Sequence, residues 1–185
     1  MNQMKSPWRG LLATAAQIGV YSWLEAWLSS LLGEWATAQS DPEYKLELCA
    51  QSAQHRWHSE LFFDRLPVLS VVHPEDLVRP PNSQFESFLA LVGSASSHSD
   101  QSVALYAVLL PFLLSVYNQE LQTLSEVADA SAQRTLSLVV ADLEQELAQH
   151  GTGVEGDSEL QRDLEQALQA SPGLLLVSHS VTDDT

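Results

Sequence analysis

The stretch from Trp8 to Trp35, WRGLLATAAQIGVYSWLEAWLSSLLGEW, constrains this chain more than any other, because between Arg9 and Glu34 its only charged side chain is Glu25. Ala, Leu, Trp and Ser at this density predict one long helix, from Trp8 to about Thr37. A carboxylate buried alone in such a helix costs on the order of several kcal/mol. It must be hydrogen-bonded, paired, metal-bound or neutralised, or else its side of the helix is wet. On a helical wheel Val20, Trp23, Leu24, Trp27, Leu28 and Leu31 form a broad apolar side, whereas Thr14, Ser22, Glu25 and Ser29 gather elsewhere. Glu34 projects opposite Glu25, so the two do not share a site.

The remaining patterning is helical as well. Ser40 and Glu43 stand at capping-box spacing around Asp41-Pro42 and start a second helix, which Pro67 ends. Leu46, Ala50, Ala53, Trp57 and Leu61 read as its core stripe, with Glu47, Gln51, Gln54 and His58 beside it and His55 further round. The proline-rich run PVLSVVHPEDLVRPPN, Pro67 to Asn82, reads as an extended connection crossing the surface. A short helix is expected over Ser83 to Val92 and a loop over Gly93 to Asp100. The third long helix then begins near Gln101, buries Leu105, Leu109, Phe112, Leu113 and Val116, is disturbed by Pro111, and carries Glu120 on the continuation of its buried face. After a break near Asp129, a possible cap, the fourth runs to about His150 on Leu136, Val139, Val140, Leu143 and Leu147, with Asp142 and Glu146 on the flank. A linker over Gly151 to Asp157, a short amphipathic helix over Ser158 to Ala170 and a flexible tail complete the chain. The expected organisation is a helical bundle over 1–150 and an appendage over 151–185.

Composition limits the partners. A net charge of −16 with only eight Lys and Arg leaves no basic stripe for phosphates, so no nucleic acid is expected, and no anionic membrane surface. Gly10 to Gly33 and Gln101 to Gln119 are long enough to span a bilayer, but their internal polar residues and Pro111 favour buried bundle helices. The first lacks a small-residue cleavage site closely following a short apolar core, so a signal peptide is not expected there. The single cysteine, Cys49, forms no internal disulfide, reads as a small core residue and fits the expected cytoplasmic setting. Neither a phosphate loop, a nucleophile elbow nor a zinc-protease motif occurs in the chain.

Four long helices with a long crossover between the second and third predict an all-α, ferritin-like arrangement. The segment LGEWATAQSDPEYKLELCAQSAQHRWHSELFFDRLP resembles the first helix-turn-helix of ferritin-like proteins. It is similar to the small bundle subunits of the multicomponent phenylacetyl-CoA oxygenase, some of which carry di-iron while their sister subunits do not. The resemblance implies a carboxylate from each of two helices and a Glu-x-x-His from each of the other two. By position it puts the lone carboxylates at Glu25 and Glu120. The second helix supplies His58, with His55 where Glu is expected; the fourth supplies Asp142, with Gln145 where His is expected. The pattern is that of a degenerate di-iron site.

A reduced metal site of Glu25, His58, Glu120 and either Asp142 or Glu146 suits iron, manganese or zinc. The leading expectation is a bundle without a cofactor, acting as a structural or interaction subunit in a homo-oligomer or beside a catalytic partner. The alternative is an iron- or manganese-dependent oxidase or oxygenase using the same residues. In a purely structural reading, Glu25 bonds to neighbouring hydroxyls or faces solvent, His55 and His58 interact with nearby acids, and Glu120, Asp142 and Glu146 lie on the surface near helix ends.

Overall fold

The computed structural model describes residues 10–68, 70, 72–151 and 158–174. Trp8, Arg9, the leading residues, most of the acidic linker, His179 and the end of the tail lie outside them. The described residues form helices without any strand, in the order α1 (Leu11–Ala38), α2 (Pro42–Phe63), α3 (Pro74–Leu77), α4 (Ser83–Gly93), α5 (His98–Leu121), α6 (Ala130–His150) and α7 (Glu159–Ala170). The all-α expectation holds.

The helices start where the local chemistry supplies acceptors for their first amides. Asp41, rather than Ser40, caps α2 by accepting from the Glu43 and Tyr44 amides, with Pro42 in the first turn. Asn82 caps α4 through the Phe85 amide, and Ser158 caps α7 through the Gln161 amide. Ser97 caps α5, which begins at His98 inside the expected loop. Asp129 occupies the N-cap position of α6 but uses its carboxylate on the Ser125 amide.

The three-residue connection from Gln39 to Asp41 makes α1 and α2 an antiparallel hairpin. Their seam is small and polar. Ser22 Oγ donates to the Ser59 carbonyl at 3.0 Å and Ser59 Oγ donates back to the Ser22 carbonyl at 2.8 Å. One step along, Ser52 Oγ donates to the Ser29 carbonyl at 2.8 Å. Hydroxyl-to-carbonyl bonds in both directions require the two backbones to lie close, and only residues as small as serine permit it. Glu25 falls between these rungs and opposite His55.

This hairpin overturns the expected core stripe of α2. Leu46 is 71% and Trp57 46% exposed, Ala50 and Ala53 face solvent, and Leu61 is half-buried. Cys49, expected in the core, is exposed too. The buried face is instead Tyr44, Leu48, Gln51, His55, His58, Ser59 and Phe62. Both faces carry helical periodicity. The polar one turns inward because it carries the partners that Glu25 needs, anchored by the fully buried Leu48 and Phe62.

Between the hairpin and α5 the chain crosses through α3 and α4. Gly19 of α1 lets the crossing pass against the helix: a Cβ there would lie 2.2 Å from the Leu77 carbonyl oxygen. Helix α5 is π-helical over Val103–Leu109, immediately before Pro111. The Leu110 amide reaches back to the Leu105 carbonyl, a five-residue step, and the wider turn relieves the clash of the proline ring with the preceding carbonyl. Among the described residues α5 is the helix long and apolar enough to cross a membrane, and 56% of its apolar window is buried within the protein. Helix α6 lies against α5 and α2, while α7 packs on α4 and the π segment. Leu164 is fully buried in the shared core, so α7 is part of the main body rather than an appendage. Gln17 of α1 ties down the end of this body by donating to the Leu174 carbonyl.

The inverted face of α2 is directly testable. Leu48→Ala is expected to cost about 2–5 kcal/mol, as for a buried leucine. The chemically identical Leu46→Ala is expected to change stability by no more than about 0.5 kcal/mol. Urea denaturation of the two variants checks this; equal losses would restore the apolar stripe to the core.

Candidate metal centre

Glu25 is fully buried halfway along α1, and three helices supply its partners. From α2, His55 Nδ1 lies 2.6 Å from Glu25 Oε2, and His58 Nδ1 lies 3.4 Å from the same oxygen. From α5, the Tyr117 hydroxyl donates to Oε1 at 2.7 Å. The histidines are three residues apart on one helix face, with their rings perpendicular and centroids 5.7 Å apart. Helix α6 stands behind them. Asp142 Oδ2 lies 2.9 Å from His58 Nε2, and Glu146 Oε2 lies 3.5 Å from His55 Nε2.

Each imidazole therefore turns Nδ1 toward Glu25 and Nε2 toward a carboxylate of α6. Ligating atoms of Glu25, His55 and His58 lie within 4.8 Å of one another, and all three side chains are buried. The contacts of His58 Nδ1 with Glu25 and of His55 Nε2 with Glu146 are long, at 3.4 and 3.5 Å, and the other Glu146 oxygen, on a residue only 5% exposed, has no hydrogen bond. Buried polar atoms are rarely left so. Two imidazoles and a carboxylate are a donor set for zinc, manganese or iron, and carboxylates behind the rings hold histidine ligands in orientation.

The electrostatics are those of a compact ion cluster. Burial, the largest single influence, pushes the Glu25 carboxyl upward, but the charge of His55 and hydrogen bonds from both histidines outweigh it and bring it down to about 2. Burial opposes the charge on His55, yet Glu25 and Glu146 raise it to about 10. His58 is raised against burial by Glu25 first and Asp142 second, with His55 opposing. Burial and the Glu25 charge push the Tyr117 phenol well above its ordinary range, which keeps it a neutral donor.

The residues expected from the sequence divide here. Glu25 and His58 meet directly, and Asp142 and Glu146 stand behind the imidazoles. Glu120 is fully buried one turn beyond Tyr117 on α5, but lies outside the group converging on Glu25 Oε2. Of the purely structural reading, the hydroxyl bond to Glu25 and the contacts of His55 and His58 with acids are present, whereas Glu120 and Glu146 are buried rather than on the surface. His55, which stands where a di-iron pattern has glutamate, is a candidate ligand that this pattern does not predict. Its signal was nonetheless present: His-x-x-His puts two imidazoles on one helix face. Tyr117 gave no signal of its own. Comparison of the chain with protein-family models, curated proteins and solved structures finds no match.

The cluster fixes how the metal-free protein responds to pH. Glu25, ordinarily near 4.5, is held at about 2, so its contribution is complete above 4.5 and is lost as pH falls through about 2. His55, ordinarily near 6.5, is raised to about 10, so its contribution is complete below 6.5 and is lost as pH rises through about 10. Stability in chelator-treated buffer is thus expected to be greatest between pH 4.5 and 6.5 and to decline on both sides. Glu25→Gln keeps the shape without the charge and is expected to flatten the alkaline decline. Urea midpoints at stepped pH measure both; an unchanged slope in the variant would detach the decline from Glu25.

Proposed function

We propose that this chain is a ferritin-like four-helix bundle that binds a single divalent transition-metal ion at Glu25, His55 and His58. The observation that carries the reading is the convergence of these three buried ligating groups within 4.8 Å, with α6 carboxylates behind both imidazoles. The bundle reading is supported by four long helices, α1, α2, α5 and α6, and by the long crossover through α3 and α4. The site departs from a di-iron pattern because α2 offers His-x-x-His and α6 has no Glu-x-x-His, its His150 standing four residues after Glu146 and turning to Glu47 and the Tyr106 ring. A mononuclear centre suits that set better than a dinuclear one.

The protein's own groups have distinct roles in this reading. Glu25, His55 and His58 hold the ion. Asp142 and Glu146 orient the imidazoles, Tyr117 fixes the second oxygen of Glu25, and the packing of α1, α2 and α5 excludes water. The exposed side of α2, with Leu46, Ala50, Ala53 and Trp57, supports a role as a subunit that associates with itself or with a partner.

A second reading, a metal-dependent oxidoreductase, is favoured by Tyr117, whose phenol hydrogen-bonds to a ligand oxygen. Bound iron or manganese supplies Lewis acidity and one-electron chemistry, and three protein ligands leave coordination positions open.

Equilibrium dialysis against zinc, manganese and anaerobic ferrous iron, followed by elemental analysis, tests the primary reading. One ion per chain is expected for at least one of these metals, and none in His55→Gln or Glu25→Gln variants that remain helical by circular dichroism. Asp142→Asn, one step removed from the ion, is expected to weaken affinity by about 10–100-fold without abolishing binding. Full stoichiometry in the His55 and Glu25 variants would contradict the assignment.

A further inference from the structure

The buried ligands lie beneath a groove between α2 and α6. It encloses about 290 Å³ and is lined by Glu47, Ala50, Gln51 and Gln54 from α2, and by Asp142, Gln145, Glu146, Gln149 and His150 from α6. We propose that this groove is the opening through which a divalent cation reaches and leaves the buried centre, with Glu146 as the group that passes it inward. The inference rests on the metal-binding reading above and adds a direction of access to it.

Four observations carry it. First, Glu146 and Asp142 belong to the groove wall and to the cluster at once: the same carboxylates that line the cavity stand 3.5 Å from His55 and 2.9 Å from His58. Second, Glu146 is only 5% exposed and its nearest partner is the His55 ring, whose Nε2 stands at a long 3.5 Å from one carboxylate oxygen, while the other oxygen has no hydrogen bond. A buried carboxylate with an oxygen left over suits a cation arriving from the groove. Third, Gln51, also buried in the groove wall, spends its amide nitrogen on the Tyr106 hydroxyl at 2.6 Å and leaves its carbonyl oxygen without a partner. That is a second oxygen donor of the kind hard divalent cations take.

The fourth observation is a contrast. A larger cavity, about 490 Å³, lies over the hairpin seam and is lined by Ser22, Ser59, Glu60, Asp64, Glu75 and Arg56 among others. Neither Asp142 nor Glu146 lines it, and Arg56, paired with Glu60 at 2.9 Å, offsets part of the negative charge of its wall. In the α2–α6 groove the permanent charges are all negative, which focuses cations into it. His150, stacked on the Tyr106 ring 5.7 Å away and ion-paired with Glu47, covers part of the same wall. Tyr106 itself belongs to the π-helical segment of α5, so the local widening of that helix helps to shape the groove.

Stopped-flow loading of the metal-free, full-length protein with cobalt(II), followed by its visible absorption, tests the route. Ala50 is exposed on the groove wall, so Ala50→Trp obstructs the opening without disturbing the core. Gln149→Lys places a positive charge there. Both are expected to slow loading, Gln149→Lys by about tenfold, the lower end of what a charged cleft contributes to an association rate. Final stoichiometry and spectrum are expected to match wild type. Gln84→Lys on α4 makes the same change of net charge away from the groove and is expected to load at the wild-type rate. Full binding at wild-type rates in both groove variants would overturn the route while leaving the centre intact. Failure of the wild-type protein to bind cobalt at all would remove the centre itself, and the route with it.

Discussion

The fold depends on satisfying one carboxylate. Glu25 lies midway along a helix whose other buried residues are uncharged, and it is fully buried itself. Left alone there it would cost on the order of several kcal/mol. Three helices answer part of that demand: α2 with His55 and His58, α5 with Tyr117, and α6 with the carboxylates that balance the imidazoles. Breaking such a cluster by removing one partner is far more costly than the net gain from forming it, so the cluster specifies which faces meet more than it adds to stability.

That requirement explains features that would otherwise be unrelated. Helix α2 presents a polar face to the core and leaves Leu46 and Trp57 outside. The serine rungs on either side of Glu25 draw α1 and α2 close enough for the imidazoles to reach the carboxylate. Gly19 allows the crossing segment to lie against α1 without pushing the hairpin apart. Groups that serve charge balance in the metal-free protein are the groups that would serve a cation.

Much of this was legible in the sequence, and the failures have physical causes. The long helices follow from the density of Ala, Leu, Gln and Glu and from proline and cap positions, and Glu25 is conspicuous as the lone charge in an apolar run. The orientation of α2 was not legible, since Leu46, Ala50, Ala53 and Trp57 make as regular a stripe as Leu48, Gln51, His55 and Phe62. A wheel ranks faces by hydrophobicity and has no knowledge of what a neighbouring helix requires. Cys49 was misplaced with that stripe. The role of His55 does not follow from a di-iron pattern, which requires glutamate at that position and has no place for a second imidazole on the same helix face. The π-helical turn before Pro111 is invisible to a periodic pattern, although proline marked the place. The burial of α7 depends on its apolar line meeting α4 and α5, which no local signal encodes.

The central claim is that Nδ1 of His55 and Nδ1 of His58 both face Glu25 and form the metal-binding side of the cluster. Imidazole ¹⁵N chemical shifts, followed by long-range proton–nitrogen correlation while zinc is added to the metal-free protein, read this atom by atom. The expected result is that both Nδ1 resonances move to metal-bound values while each Nε2 keeps its proton against Asp142 or Glu146, with His73, His98 and His150 unmoved. Metal-bound shifts at Nε2, at the other histidines, or at none, would contradict it.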